Sequence, residues 1–179
     1  LIDPGLTCRE RMGGITGRLK ARLGVYGALG NHEYYYGLDR AMGCYEDFGI
    51  KLLKNASADL GPLRLTGLGD IHTEGLEPAD VVKTLGPANG KFNIVLSHQP
   101  VYYKELAAAG AALTLSGHTH RGQIFPFSLA TYAFYRNFYG LYRIGGSAFY
   151  VTSGAGTWGP PLRWLAPSEV PVITLKNAN

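Results

Sequence analysis

The feature that most narrows the fold is a pattern that occurs three times. "GVYGAL" (24–29) runs into "GNHE" (30–33), "FNIVL" (92–96) into "SHQP" (97–100), and "ALTL" (112–115) into "SGHTH" (116–120). In each case a short apolar run of strand character stops at a polar turn. Further strand candidates are "IKLL" (50–53), "LRLTGL" (63–68), "AFYVTSG" (148–154) and "VPVITL" (170–175). Stretches with helical spacing fall at 8–22, 38–47, 77–86 and 102–110, the third opened by Glu77 and Pro78 as a start signal. Strands alternating with helices dictate an α/β layered domain. In such sheets, loops beyond the carboxyl ends of the strands bring side chains together. Four of the five histidines sit in the three loops named first.

Composition matters here for what it excludes. With 179 residues, 46% of them hydrophobic and 17% charged, the chain can bury a core as one domain over 1–179, and disordered and fibrous classes are out. The net charge of +4 is dispersed in small groups such as "RLKAR" (18–22). That suits an anionic small substrate or an anionic lipid surface better than nucleic acid. Cys8 and Cys44 form no CxxC and no paired framework, so they read as small packed residues. No signal peptide opens the sequence and no apolar run nears the ~18–20 residues that span a bilayer, so this segment is expected to be soluble or peripheral. The opening "LIDPGL" lacks a methionine and reads as a strand end entering a turn, so the sequence is expected to begin inside a longer protein.

The loop residues Asn31, His98, His118 and His120 supply one amide oxygen and three imidazoles. Such donors suit borderline divalent ions such as Mn, Fe, Zn or Co. Singly, each is equally a turn asparagine or a hydrogen-bonded loop histidine; delivered together from three strand ends, they read as a metal centre. Asp70 and His72, in "GDIH" (69–72), are read as loop residues after "LRLTGL" rather than ligands. Glu33 is read as an acceptor for a ligand histidine or as a solvated loop acid, and Ser97 and Gln123 as turn supports. Arg121 offers a guanidinium fork for a phosphate, or is a surface arginine.

"GNHE", "SHQP" and "GHTHRGQ", in that order after "LIDPG", resemble the calcineurin-like metallophosphoesterase family. Its motif series runs DxH, GDxxD, GNH followed by an acid, a lone His, then GHxH, and Asp3 resembles the last acid of GDxxD. The run at 140–175 resembles the branch containing membrane-associated phosphodiesterases and a UDP-2,3-diacylglucosamine pyrophosphatase. The resemblance implies a four-layer sandwich, two mixed β-sheets flanked by helices, here lacking its first strands. It implies two divalent ions, Mn favoured, with Asn31, His98 and His118 on one and His120 on the other. It implies that His32 contacts the phosphate and protonates the leaving oxygen. The reaction implied is two-metal activation of water against a phosphodiester or pyrophosphate bond, lipid-linked substrates included. The family places DxH ahead of GNH, whereas Asp70-Ile71-His72 falls between GNH and the lone His; the DxH that precedes GNH and the leading Gly-Asp of GDxxD are not in the sequence and are expected just upstream of Leu1. The alternatives are a nucleotide or nucleic-acid phosphodiesterase and a metal-binding scaffold without turnover.

Residues 125–142, "FPFSLATYAFYRNFYGLY", hold many aromatic rings, with Arg136 among them and Arg143 following. Rings with polar tips beside arginines suit a lipid headgroup region, and peripheral membrane contact is expected through 125–143. Base stacking and an extra hairpin packed over the sheet use the same residue types. "YYYG" (34–37) extends the aromatic rim, and Tyr34 joins Arg121 as an expected substrate contact. The protein is accordingly expected to be bacterial, and either membrane-associated or cytoplasmic.

Overall fold

The computed structural model describes residues 18–176. Its strands are β1 (Val25–Ala28), β2 (Ile50–Leu53), β3 (Ala56–Leu60), β4 (Leu63–Gly67), β5 (Phe92–Ser97), β6 (Leu113–Ser116), β7 (Gly140–Ile144) and β8 (Ser147–Val151). Its helices are α1 (Asn31–Tyr36), α2 (Leu38–Asp47), α3 (Ile71–Glu74), α4 (Pro78–Leu85), α5 (Tyr103–Ala108) and α6 (Phe127–Phe134), with a 3-10 turn at His120–Gly122. Among the described residues β1 and β2 pair in parallel as a small sheet. The other six form a mixed sheet in the order β3-β4-β5-β6-β8-β7, parallel from β4 to β8 and antiparallel at both edges. This is the expected α/β arrangement of two sheets with flanking helices.

Register shows how the layers stack. Thr66, Val95, Thr114 and Phe149 are partners across four strands and so share one face of the large sheet. On that face Val95 and Phe149 join Leu68, Ile71, Val81, Leu85, Tyr103 and Leu106 in the main core, so α3, α4 and α5 cover it. Gly67 and Leu96 share the opposite face. There Gly67 lies so close to β2 that an added Cβ would stand 2.3 Å from the Leu53 Cβ, and glycine is what lets the two sheets approach. The helix α2 closes the outer side of the small sheet with Ala41, Cys44 and Tyr45 against Ile50.

Several expectations change. "VPVITL" forms no strand: 170–175 has no regular structure, and Val170, Val172, Ile173 and Leu175 are exposed. Pro171 offers no N–H to a ladder, and an apolar run without a partner strand cannot form one alone. The helical stretch at 8–22 lies mostly outside the described residues, as does Asp3, and residues 18–22 are not helical. Cys44 is disulfide-bonded rather than simply packed, and the sequence's other cysteine, Cys8, lies outside the described residues.

Candidate metal centre

Three strand ends build the site. β5 and β6 are parallel neighbours with Ser97 opposite Ser116, so the residues after them, His98 and the Gly117-His118 pair, leave the sheet side by side. The Gly117 N–H donates to the His98 carbonyl at 3.1 Å and fixes the two turns to each other. β1, in the other sheet, ends at Ala28, and after Leu29 the N-cap Gly30 leads into α1 at Asn31. Gly30 lies against the His98 ring so closely that a Cβ there would stand 2.8 Å from it. The loop is held from below by Glu33, whose buried carboxylate accepts from the Gly30 N–H at 2.8 Å and from the Tyr45 hydroxyl at 2.8 Å. Glu33 is thus a buried brace for the turn, and the reading of it as a solvated acid is corrected.

The donor atoms converge. His98 Nε2 is 3.0 Å from Asn31 Oδ1, and His118 Nδ1 is 3.0 Å from His98 Nε2. Two ligands bonded to one ion at ~2.1 Å and at right angles stand about 3 Å apart, so the spacing fits a shared cation as well as it fits proton sharing. Among the described residues no three His, Cys, Asp or Glu side chains form a metal group by themselves. The convergent set owes its third donor to the Asn31 amide. His120 and His32 line the same cavity of about 650 Å³, together with Asn31, His98 and His118. Arg163 brings its guanidinium to 3.3 Å from His120 Nδ1 and spans the carbonyls of Ser153 and Ala166, tying the 153–166 loop to the metal turn. Non-glycine residues take left-handed φ at His118, His120, Arg121 and Gln123, a concentration of backbone strain characteristic of functional turns.

Electrostatics keeps the imidazoles uncharged. Burial, then the neighbouring His118, pushes His98 down to about 4; burial, then Arg163, pushes His120 down to about 4; and burial also lowers His118. Neutral imidazole is the form that binds a cation, so the donor set fits divalent metal. In the metal-free protein the sign is definite. The unfolded chain takes up these protons below pH ~6.5 while the folded chain holds them off to about 4. Stability is therefore complete above pH ~6.5 and declines as pH falls towards 4. Urea unfolding in chelator should give a lower midpoint at pH 5 than at pH 7.5, and the His98→Asn/His120→Asn pair should flatten that difference.

The remaining sequence candidates fall at several distances. Tyr34 and Arg121 are not among the cavity-lining residues. The Tyr34 hydroxyl donates to Glu74, which also takes Lys54 and Asn55, and the Arg121 guanidinium lies 4.3 Å from the Tyr139 ring centre. Ser97 and Gln123 do support turns: Ser97 Oγ donates to the Gln99 carbonyl at 2.9 Å, and Gln123 exchanges hydrogen bonds with the Trp158 main chain. Asp70 is fully buried, capping α3 through the Thr73 N–H and accepting from Gln99. His72 reaches the rim of the cavity, its ring 6.4 Å from that of His118 and stacked on Tyr135. Sequence reasoning set His72 aside because of its place in the motif order; the "DIH" string was the only signal it gave. Tyr135 stands out only as part of the aromatic segment 125–142, and Trp158 and Arg163 give no site signal of their own.

Imidazole and amide donors at the carboxyl ends of parallel strands, facing a cavity with further histidines, form a candidate metal centre on an α/β sandwich. No family model and no solved structure matches the chain. Among curated relatives, an uncharacterized metallophosphoesterase of Campylobacter jejuni is 40% identical over 158 residues, which is 86% of this chain and 42% of that protein. An uncharacterized metallophosphoesterase of Aquifex aeolicus is 30% identical over 190 residues, 98% of this chain and 69% of its own length. A Danio rerio protein named transmembrane protein with metallophosphoesterase domain is 35% identical over 178 residues, 90% of this chain and 41% of its own length. The chain belongs to the calcineurin-like metallophosphoesterase family, which implies divalent metal ions as cofactor. It spans under half the length of the Campylobacter and Danio proteins. No helix among its described residues is long and apolar enough to cross a membrane.

Proposed function

We propose that this chain carries part of the metal centre of a hydrolase that cleaves phosphodiester or pyrophosphate bonds. The observation that carries the reading is the run of donors Asn31 Oδ1, His98 Nε2 and His118 Nδ1 at 3.0 Å spacings on the wall of a cavity shared with His32 and His120. Asn31, His98 and His118 would hold one divalent ion and His120 a second, from Mn, Fe, Zn or Co, with Mn favoured by the family resemblance alone. Such ions polarise phosphoryl oxygens and lower the pKa of bound water. The protein's own side chains then do the rest. His32, on the first turn of α1, borders the cavity and is the group suited to donate a proton to the departing oxygen. Phe127, Ala130 and Phe134 give the cavity an apolar wall. That wall supports a substrate with an apolar, lipid-like group over a nucleic acid, whose backbone calls for a basic groove.

The test is hydrolysis of bis-p-nitrophenyl phosphate by the full-length protein with added Mn. His32→Ala should lower kcat by about 100-fold while metal content stays unchanged. Metal binding without metal-stimulated hydrolysis in the unsubstituted protein would leave a scaffold in place of an enzyme.

A further inference from the structure

Helix α6, "FSLATYAF", carries no charge, and none of its residues is buried. Its polar groups are only the hydroxyls of Ser128, Thr131 and Tyr132, and exposed Phe127, Leu129 and Phe134 need cover from protein or from lipid. Phe127, Ala130 and Phe134 border the metal cavity, whereas Leu129 and Tyr132 do not and are exposed, Leu129 at 64%. The apolar surface continues onto the 158–165 loop. Ile124 bridges to Trp164, the Phe125 ring meets the Trp164 ring edge-on at 5.9 Å, and Trp158, Leu162 and Trp164 are all exposed. A continuous apolar surface of this kind marks an interaction site.

Charge identifies the occupant. Between Glu105 and Glu169 the sequence contains no aspartate or glutamate, yet it contains Arg121, Arg136, Arg143 and Arg163. Arg136 is exposed just past the end of α6, its guanidinium 5.3 Å from the Tyr132 ring centre. A second copy of the chain would bring the same positive charge onto the same surface, which opposes self-association there. Exposed tryptophan, tyrosine and leucine bordered by arginine and free of acids match the headgroup layer of an anionic leaflet. We propose that α6 and the 158–165 loop form a docking surface for an anionic lipid bilayer, seating the mouth of the metal cavity at headgroup level.

Co-sedimentation of the full-length protein tests this. One set of vesicles contains equal parts phosphatidylglycerol and phosphatidylcholine, the other phosphatidylcholine alone. The protein should partition onto the anionic vesicles and much less onto the neutral ones. Leu129→Glu should weaken that binding about tenfold or more, the effect of losing one buried leucine, and Arg136→Glu about fivefold. Both sites are exposed, and unchanged circular dichroism and metal content would show that the variants fold. No binding, equal binding to both vesicle types, or binding indifferent to both substitutions would overturn the proposal. So would a dimer that Leu129→Glu dissolves, which would assign the surface to a second copy. Sedimentation reads no turnover, so its failure would leave the hydrolytic reading untouched.

Discussion

Replacement of His98 by alanine is expected to release the metal and lower phosphoester hydrolysis by more than about 100-fold. His98 is the middle donor, with Nε2 at 3.0 Å from both Asn31 Oδ1 and His118 Nδ1, so its loss leaves two donors no longer joined by a third. Main chain fixes both its ring and its turn. Gly30 lies against one side, and the carbonyl of His98 accepts from Gly117. Residues that merely support a metal ligand cost ~10–100-fold in affinity or activity when removed, and a direct ligand stands at or beyond the upper end of that range. Equilibrium dialysis with Co, followed by its visible absorption, would measure the loss, and a spectrum equal to that of the unsubstituted protein would contradict the assignment. The effect should exceed that of His32→Ala, because a proton donor accounts for only one part of the barrier.

The largest effect on stability is expected at Phe149. Its ring is fully buried in β8, which pairs with β6 on one side and β7 on the other, and it packs at 4.6 Å from Tyr103 of α5. Phe149→Ala removes that filling from the centre of the main core and should cost about 3–5 kcal/mol in urea unfolding. The consequence reaches the metal centre through topology. β8 holds β6 in place, and β6 ends at the turn that delivers His118. A variant that unfolds at the original urea concentration would show that the sheet does not depend on this ring.

The strands that feed the site were legible because each joins a β-branched or aromatic run to a glycine- or serine-led turn, which is a local signal. β1, β5 and β6 fall where those runs lie, and α2, α4 and α5 fall on the stretches with helical spacing. β3, "ASADL", was not legible. Its composition is weak for a strand, and it exists because the Gly61-Pro62 turn folds it back onto β4 as an edge. α6 was read as part of an aromatic segment with no defined element, since eight uncharged residues dominated by rings and alanine give too short and weak a helical period. At the site, the three turns that converge on the cavity were legible by residue type. The partners that hold them did not. Arg163 meets His120 across 43 positions, Gln99 meets Asp70 across 29, and Tyr45 meets Glu33 across 12, and no local pattern records such pairs. His72 shows the converse: motif order argued against it, yet the fold brings its ring beside His118. The apolar run 170–175 shows that composition sets only a strand's capacity, and a partner strand realises it.

Anomalous scattering at the Mn edge, from crystals of the full-length protein grown with Mn, tests the metal centre most directly. The expected result is a peak within bonding distance of Asn31 Oδ1 and of both the His98 and His118 rings. A peak bonded to other residues, or no peak while those two imidazoles remain hydrogen-bonded to each other, would contradict it.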